Sequence, residues 1–308
     1  MYDFKGRSLL TWLDWKEDEI RALIALSRRV KAEKHEQKQR FKGITVALLF
    51  EKRSTRTRCA FETAVGEEGG HPVFLSTDDI QLGAKESVED TARVLGRMFN
   101  AIQFRGFKQS TAESLARYSG VPVYNGLTDQ FHPTQALADV MTMEEEFGEL
   151  KGRTLCFVGD GRNNIARSLL VLCGKLGINF TLCAPKELRP NEAELKKLWQ
   201  SSASLKIGGS VEGADAIYTD VWVSMGEEAL REERRRMLSP FQVNNGLLTK
   251  TGRDDTIFLH CLPAVRGEEV TDQVIDGPQS RVWDEAENRK HTIKAIMLAT
   301  LGLEQIKV

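Results

Sequence analysis

The densest group of residues able to do chemistry is the stretch 54–58, which contains Ser-Thr-Arg-Thr-Arg. It follows the apolar run 44–50, which predicts a buried strand, and it precedes a run with helical periodicity. The first turn of a helix offers free backbone N–H groups and a positive dipole end, to which hydroxyl and guanidinium groups add donors. The stretch therefore predicts a phosphate-binding pocket. A capped helix with exposed arginines is the competing interpretation.

A second group begins at residue 132, where His-Pro-Thr-Gln opens another predicted helix. Pro133 suits the first helical position. The imidazole of His132 and the side-chain amide of Gln135 lie within one turn, and both can hydrogen-bond a carbonyl or an amide. This pair predicts recognition of a small polar group, although a histidine at a helix start can also serve as a cap or as a core residue.

The stretch 159–164, Gly-Asp-Gly-Arg-Asn-Asn, follows a predicted strand and resembles a dinucleotide-binding fingerprint. It departs from that fingerprint at two places. The third glycine position holds Asn164, and the next strand ends in Cys183-Ala184-Pro185 with no acidic residue to bind a ribose. This disfavours a nicotinamide-dependent dehydrogenase. Asparagine side chains at such a turn suit an amino-acid carboxylate instead.

Three further groups stand at strand ends or at a helix start. Residues 220–226 are Asp-Val-Trp-Val-Ser-Met-Gly, and residues 260–263 are His-Cys-Leu-Pro. Ligands bind at the carboxyl ends of parallel strands, where Asp220 can pair with an ammonium group. Cys261 there can be a nucleophile, a polar contact or a packing residue. Residues 284–289 begin a charge-rich helix that is either a solvated face or a means of presenting Arg289 to a cleft.

Short β-branched runs alternate with longer helical patterns along the whole chain. Strands are predicted at 44–50, 101–104, 121–123, 154–158, 178–183, 216–221 and 256–259. This alternation predicts the α/β class, with two doubly wound domains that are each a parallel sheet flanked by helices. We expect domains at residues 1–138 and 139–285, with a C-terminal helix at 286–308 that packs back on the first domain.

Composition excludes several classes of protein. The chain has 308 residues, a formal net charge of −1 and 41% hydrophobic residues, so it carries no strongly basic footprint for nucleic acid or anionic membranes. Its five cysteines include no C-x-x-C pair, which disfavours a disulfide framework and a structural zinc site. No apolar run has the length of a membrane span, and residues 1–10 lack the long apolar core of a signal peptide. A cytoplasmic protein is expected.

Taken in order along the chain, these motifs resemble those of the aspartate/ornithine carbamoyltransferase superfamily. Residues 54–58 match its phosphate loop, and residues 132–135 match its carbamoyl-holding motif. The stretches 220–226 and 260–263 are similar to those of the ornithine enzymes. Aspartate enzymes lack the His-Cys-Leu-Pro stretch, and the putrescine and acylated-ornithine enzymes differ in the Ser-Met-Gly loop. The resemblance covers nearly the whole chain.

The resemblance implies a substrate contact for each matching residue. Carbamoyl phosphate is assigned Ser54, Thr55, Arg56, Thr57, Gln81, Arg105, His132, Gln135, Cys261, Leu262 and Arg289. L-Ornithine is assigned Asn164, Asp220, Ser224 and Met225. Arg162 precedes Asn163 and Asn164 and leaves both open as the ornithine contact, with Asn164 favoured. Arg105, His132 and Cys261 are assigned to catalysis, with Cys261 orienting the amine rather than attacking as a nucleophile.

The implied reaction moves the carbamoyl group of carbamoyl phosphate to the side-chain amine of L-ornithine, which gives L-citrulline and phosphate reversibly, as in arginine biosynthesis. Carbamoyl phosphate carries its own leaving group, so no metal or cofactor is expected. The resemblance also implies a homotrimer in which Gln81 completes the phosphate pocket of an adjoining subunit. A catalytically silent regulatory subunit and a nucleotide-binding oxidoreductase are the alternatives from other classes.

Overall fold

The computed structural model describes residues 2–36, 38–76, 86–223 and 228–306. The chain folds as two compact units. The first comprises Met1–Met141 and Glu287–Val308, and the second comprises Thr142–Ala286. The first unit thus contains both ends of the described chain.

The first unit is built on a four-stranded parallel sheet. Its strands are β1 (Thr45–Phe50), β2 (His71–Ser76), β3 (Ala101–Arg105) and β4 (Val123–Leu127). Its helices are α1 (Glu17–Ala32), α2 (Thr55–Gly66), α3 (Val88–Met98), α4 (Gln109–Ser119) and the first part of α5 (Pro133–Phe147). The long helix α11 (Val282–Thr300) contributes its greater part to this unit.

The strand order β2-β1-β3-β4 reverses direction beside β1. The chain moves outward from β1 to β2 and then returns to β3 on the other side, so the loops that leave β1 and β3 diverge. Such a topological switch point opens a crevice at the carboxyl ends of the strands. Residues 51–54 and Arg105 stand at these two strand ends.

Apolar packing fixes this sheet between helices. One face carries Ala47, Leu49, Ile102 and Phe104, which pack with Ala92 and Leu95 of α3 and with Ala112 and Leu115 of α4. On the other face, Phe61 of α2 lies 6.3 Å from the ring of Tyr124 in β4. Burial on both faces explains why β1 reads as a continuous apolar run rather than an alternating one.

The second unit repeats the architecture with five parallel strands. They are β5 (Thr154–Val158), β6 (Asn179–Cys183), β7 (Leu205–Ile207), β8 (Ala216–Thr219) and β9 (Ile257–Leu259). Its helices are α6 (Asn164–Leu176), α7 (Glu192–Leu198), α8 (Arg231–Leu238), α9 (Asn245–Thr249) and α10 (Asp272–Ile275). Short 3₁₀ turns occupy Lys186–Leu188, Glu228–Leu230 and Ser239–Phe241.

The second sheet also contains a switch point. Its order β7-β6-β5-β8-β9 reverses between β5 and β8. The glycine-containing turn after β5 and the segment that begins at Asp220 after β8 therefore leave neighbouring strand ends. One face of this sheet buries Cys156, Val158, Ile217 and Phe258 against residues of α9 and α10.

The predicted fold class is confirmed, since both units are parallel sheets flanked by helices. The sequence reading missed β2 and β7. It predicted β4 at 121–123 instead of Val123–Leu127, and the last helix at 286–308 instead of Val282–Thr300. Among the described residues no helix is both long and apolar enough to cross a membrane.

Helix α5 is anchored at its first turn by a buried side chain from the N-terminal segment. The indole Nε1 of Trp12 donates a 2.9 Å hydrogen bond to the carbonyl oxygen of Pro133, and Trp12 is only 1% exposed. Because Pro133 adjoins His132, this contact holds the start of the helix that presents the His-Pro-Thr-Gln motif.

We predict that Trp12→Phe lowers the free energy of unfolding by about 1–3 kcal/mol, because it leaves a buried carbonyl without this donor. The matched control is Trp283→Phe, at a side chain that is 57% exposed, and it should change stability by less than about 0.5 kcal/mol. Urea denaturation followed by circular dichroism measures both variants. Equal stability losses would contradict the anchoring role of Trp12.

Candidate active site

The start of α2 forms a turn in the first unit whose groups suit an anion. Ser54 caps the helix, since its side chain accepts a 3.2 Å hydrogen bond from the backbone N–H of Thr57. The first turn of α2 contains no acidic residue. Thr55 and Arg56 stand in this turn, so its backbone dipole, hydroxyls and guanidinium all favour a negatively charged ligand.

Thr57 is the meeting point of two arginines. Its hydroxyl accepts hydrogen bonds from Nη1 of Arg105 at 3.2 Å and from Nη2 of Arg289 at 3.1 Å. Arg105 ends β3 and Arg289 lies on α11, and their side chains are 8% and 2% exposed. Residues that are 48 and 232 positions away from Thr57 in the chain thus place two cationic groups on one buried hydroxyl.

Glycine at position 126 makes room for this cluster. A Cβ atom there would lie 3.0 Å from the Thr57 methyl group and 2.5 Å from Nε2 of Gln103. Any larger residue at position 126 would therefore displace Thr57 or the buried amide of Gln103. The close approach of α2 to β4 depends on the absence of a side chain at this position.

His132 stands at the start of α5 and is 4% exposed. Burial lowers its pKa well below the usual value, and the nearby guanidinium groups of Arg289, Arg105 and Arg56 lower this pKa further. The imidazole is therefore neutral at physiological pH. A neutral imidazole can donate one hydrogen bond to a ligand carbonyl without adding a fourth positive charge.

Gln135 lies within the first turn of the same helix and is 1% exposed. Its Nε2 atom donates a 2.8 Å hydrogen bond to Oδ1 of Asp139, one turn further along α5. The first unit therefore brings together Arg56, Thr57, Arg105, His132 and Arg289, and it holds Gln135 beside His132. An anion with a small polar carbonyl group fits the chemistry of this set.

The second unit gathers a polar cluster at the ends of β5, β8 and β9. The thiol of Cys261 donates to Oδ1 of Asp220 at 3.2 Å, and Nδ2 of Asn163 donates to Oδ2 of Asp220 at 2.8 Å. Burial by its neighbours raises the pKa of Asp220, and Glu269 adds to the rise, while His260, Cys261 and the backbone N–H of Val221 oppose it. A cationic amine is the ligand that this carboxylate suits.

Asn163 has a role that sequence reasoning left open. Its Oδ1 accepts from the backbone N–H of Ala166 at 2.8 Å and so caps α6, while its Nδ2 bonds Asp220. Both ends of the Asn163 amide are thus engaged within the protein. Asn164 is the first residue of α6.

The loop 260–269 is held by a buried histidine and two buried glutamates. Nδ1 of His260 accepts from the backbone N–H of Leu262 at 2.8 Å, so its Nε2 carries the proton toward Oε1 of Glu269, 3.2 Å away. Glu269 also accepts from the backbone N–H of Val265 at 2.6 Å, and Glu285 accepts from that of His260 at 2.9 Å. These bonds hold Leu262 at a left-handed φ of 56°.

Sequence reasoning missed His260, Glu269 and Glu285 as members of this network. The histidine beside Cys261 was the available signal, but neither glutamate stands in a recognisable pattern with it. The ligand atoms of Asp220, His260 and Cys261 lie within 4.8 Å of one another, so these three residues could hold a metal ion. In the structure the thiol of Cys261 donates a hydrogen bond to the carboxylate of Asp220.

Three residues assigned by resemblance, Gln81, Ser224 and Met225, lie outside the described residues. The others are placed in one unit or the other. Those in the first unit are Ser54, Thr55, Arg56, Thr57, Arg105, His132, Gln135 and Arg289. Those in the second unit are Asn164, Asp220, Cys261 and Leu262.

Two models of known protein families match the chain along most of its length. The family model for the carbamoyl-P binding domain of aspartate/ornithine carbamoyltransferases matches residues 7–145, and the model for the Asp/Orn binding domain matches residues 151–300. The chain is 65% identical to an ornithine carbamoyltransferase from Caldanaerobacter subterraneus subsp. tengcongensis, over 97% of this chain and 99% of that protein. It is 60% identical to one from Thermotoga maritima over 97% and 99% of the two chains.

A solved structure gives the same result. The ornithine carbamoyltransferase from Pyrococcus furiosus superposes with a TM-score of 0.94 at 43% identity, and the match covers 99% of this chain and all of that one. Sequence and fold similarity extend together over both units. The chain therefore belongs to the aspartate/ornithine carbamoyltransferase family.

Proposed function

We propose that the protein transfers the carbamoyl group of carbamoyl phosphate to the side-chain amine of L-ornithine and releases L-citrulline and phosphate. The observation that supports ornithine as the acceptor is the hydrogen-bonded pair of Asp220 and Cys261. An acidic group of this kind attracts the ammonium end of ornithine and repels the second carboxylate of aspartate. The names of the relatives support the same choice.

The first unit binds carbamoyl phosphate in this proposal. Backbone and side-chain donors at the start of α2 bind the phosphate group, namely Ser54, Thr55, Arg56 and Thr57. Arg105, His132 and Gln135 bind the carbamoyl group. Arg289, which donates a hydrogen bond to Thr57, adds positive charge to the site. The support is the convergence of buried donors on a helix start that has no acidic residue in its first turn.

The second unit binds ornithine. Asp220 and Cys261 orient the side-chain amine, and the backbone of Cys261 and Leu262 contacts the carbamoyl group. Asn164 holds the amino-acid end, a choice favoured because the amide of Asn163 already caps α6 and bonds Asp220. Gln81, Ser224 and Met225 remain predicted contacts.

The chemistry is addition of the amine to the carbonyl carbon followed by elimination of phosphate. The neutral amine nitrogen bonds to the carbonyl carbon, the carbonyl oxygen becomes an oxyanion, and the bond to the phosphate oxygen then breaks. Arg105 and neutral His132 stabilise the oxyanion as fixed donors. Phosphate leaves with the electron pair and can take up the proton that the attacking nitrogen loses, so the transfer needs no cofactor. Since both substrates must be present at once, orientation supplies much of the rate.

Three properties stay predictions that accompany this function. They are a homotrimer in which Gln81 reaches an adjoining phosphate pocket, a cytoplasmic location and a place in arginine biosynthesis. All five cysteines are free thiols, as a reducing compartment requires. Light scattering at assay concentration measures the assembly directly.

A panel of acceptors tests the function. With carbamoyl phosphate as donor, we expect fast product formation from ornithine and at least about a hundredfold lower kcat/KM with putrescine, aspartate or N-acetylornithine, because each lacks a charged group that the site must pair. A colorimetric assay for the ureido product follows all four. Preference for another acceptor, or no turnover with any, would overturn the proposed function.

Cys261→Ser tests the orienting role of the thiol. A hydroxyl can still donate to Asp220, so we expect turnover to persist with a raised KM for ornithine and little change in carbamoyl phosphate affinity. Cys183→Ser, at another half-buried thiol, is the matched control and should leave both constants within about twofold. Capture of a carbamoylated Cys261 by mass spectrometry would show that the thiol is a nucleophile instead.

The pH dependence follows from the amine and from Asp220. A free alkyl amine has a pKa of about 10, so kcat/KM for ornithine should rise close to tenfold per unit between about pH 7 and pH 8. The raised pKa of Asp220 adds a steeper fall on the acid side, where its protonation removes the charge that attracts ornithine. Because the pKa of His132 is lowered, this imidazole adds no step in that range.

Steady-state rates from about pH 5.5 to about pH 9 measure the profile around these ionisations, with circular dichroism as the check on folding. Asp220→Asn should lack the steeper acid limb and keep the dependence on amine ionisation, at a lower overall rate. A flat profile in folded wild-type protein is the outcome that would refute a limiting amine deprotonation.

A further inference from the structure

Two buried polar side chains lie one helical turn apart on α5. Gln135 is 1% exposed and Asp139 is 0% exposed, and Nε2 of Gln135 donates to Oδ1 of Asp139 at 2.8 Å. Side chains on a helix lean toward its N-terminus, so Asp139 reaches back onto Gln135 while Gln135 leans toward His132. The hydrogen bond thus connects the carbamoyl-binding turn to the next turn of α5.

The chemistry of the two groups fixes the direction of the amide. A carboxylate only accepts hydrogen bonds, whereas a glutamine amide has one donor arm and one acceptor arm. Asp139 therefore takes the NH₂ arm of Gln135. The two arms diverge from a planar carbon, so the oxygen Oε1 is directed away from Asp139 as an acceptor.

We propose that Asp139 is a positioning residue that makes the site select a carbamoyl group over other acyl groups. This inference rests on the proposed function. With Oε1 of Gln135 held as an acceptor, the NH₂ group of carbamoyl phosphate can donate to it. The CH₃ group of an acyl phosphate such as acetyl phosphate cannot, and it would place an apolar group against a buried amide oxygen.

The preference for a carbamoyl group depends on Asp139 being able only to accept hydrogen bonds, and not on its size. An asparagine side chain at this position would have the same shape, but its amide can either accept from Gln135 or donate to it. Gln135 could then turn its NH₂ arm toward the ligand, where it would face the carbamoyl NH₂ donor to donor. The variant Asp139→Asn therefore removes the selection while it keeps the packing.

Three stable ligands separate this effect from general damage. Phosphonoacetamide carries the carbamoyl NH₂, acetonylphosphonate carries CH₃ at the same position, and inorganic phosphate carries neither. Isothermal titration of the full-length protein gives each dissociation constant. In Asp139→Asn the preference for the amide over the methyl ketone should fall roughly three- to tenfold, as expected for one hydrogen bond, while phosphate affinity stays within about twofold.

A double-mutant cycle tests whether Asp139 acts through Gln135. Gln135→Ala should lose the same preference by itself. Adding Asp139→Asn to Gln135→Ala should then change the preference by less than about twofold, because groups that act through each other are not additive. A purely structural role for Asp139 predicts equal losses for all three ligands in both backgrounds.

Each outcome bears on the inference. An unchanged preference in folded Asp139→Asn overturns it, as does an undiminished effect in the Gln135→Ala background. Asp139→Ala serves as a second variant if Asp139→Asn does not fold, and it should lose the preference in the same way. Failure of the proposed function is distinguishable, since wild-type protein would then form no citrulline and show no preference for phosphonoacetamide.

Discussion

The candidate site of the first unit depends on the burial of positive charge around Thr57. Two guanidinium groups, from Arg105 and Arg289, donate to one hydroxyl that is itself fully buried. Buried cations are costly unless acceptors or opposite charges surround them. A phosphate dianion at the adjoining start of α2 would relieve the repulsion between the two groups. The arrangement therefore suits an anionic ligand, and the tertiary fold must hold it in position.

The fold holds these charges by using three separate elements. Arg105 ends a central strand, Thr57 lies in the first turn of α2 and Arg289 lies on a helix far away in the sequence. Each element is fixed by its own apolar packing, so none of the three residues needs the others for its backbone position. The switch point between β1 and β3 leaves the space that their side chains enter. The second unit uses the same topology but collects carboxylates, Asp220, Glu269 and Glu285, at its strand ends.

Local patterns located the helix starts of the candidate site more accurately than the edges of the sheets. The motifs at 54–58 and 132–135 were recognisable because their chemistry lies within one turn. Strand β2 was missed because Pro72 interrupts it at a sheet edge, and β7 because three residues carry no clear alternation. The hydrogen bonds from the ring of His260 to Glu269 and from the backbone N–H of His260 to Glu285 join residues 9 and 25 positions apart, a separation at which no local periodicity operates. The engagement of Asn163 likewise depends on Asp220, 57 residues away.

The opposite pKa shifts of His132 and Asp220 suit these two residues to different roles in the proposed reaction. Burial and three guanidinium groups lower the pKa of His132, so this side chain is a neutral hydrogen-bond donor. For the same reason His132 is a poor base for the amine proton. Burial raises the pKa of Asp220, so its carboxylate has a greater affinity for a proton than an exposed aspartate has. Groups whose environments push their pKa values in opposite senses often mark the division of acid and base roles. In the proposed reaction, His132 and its neighbours therefore stabilise the oxyanion, and Asp220 is the group suited to help remove the amine proton.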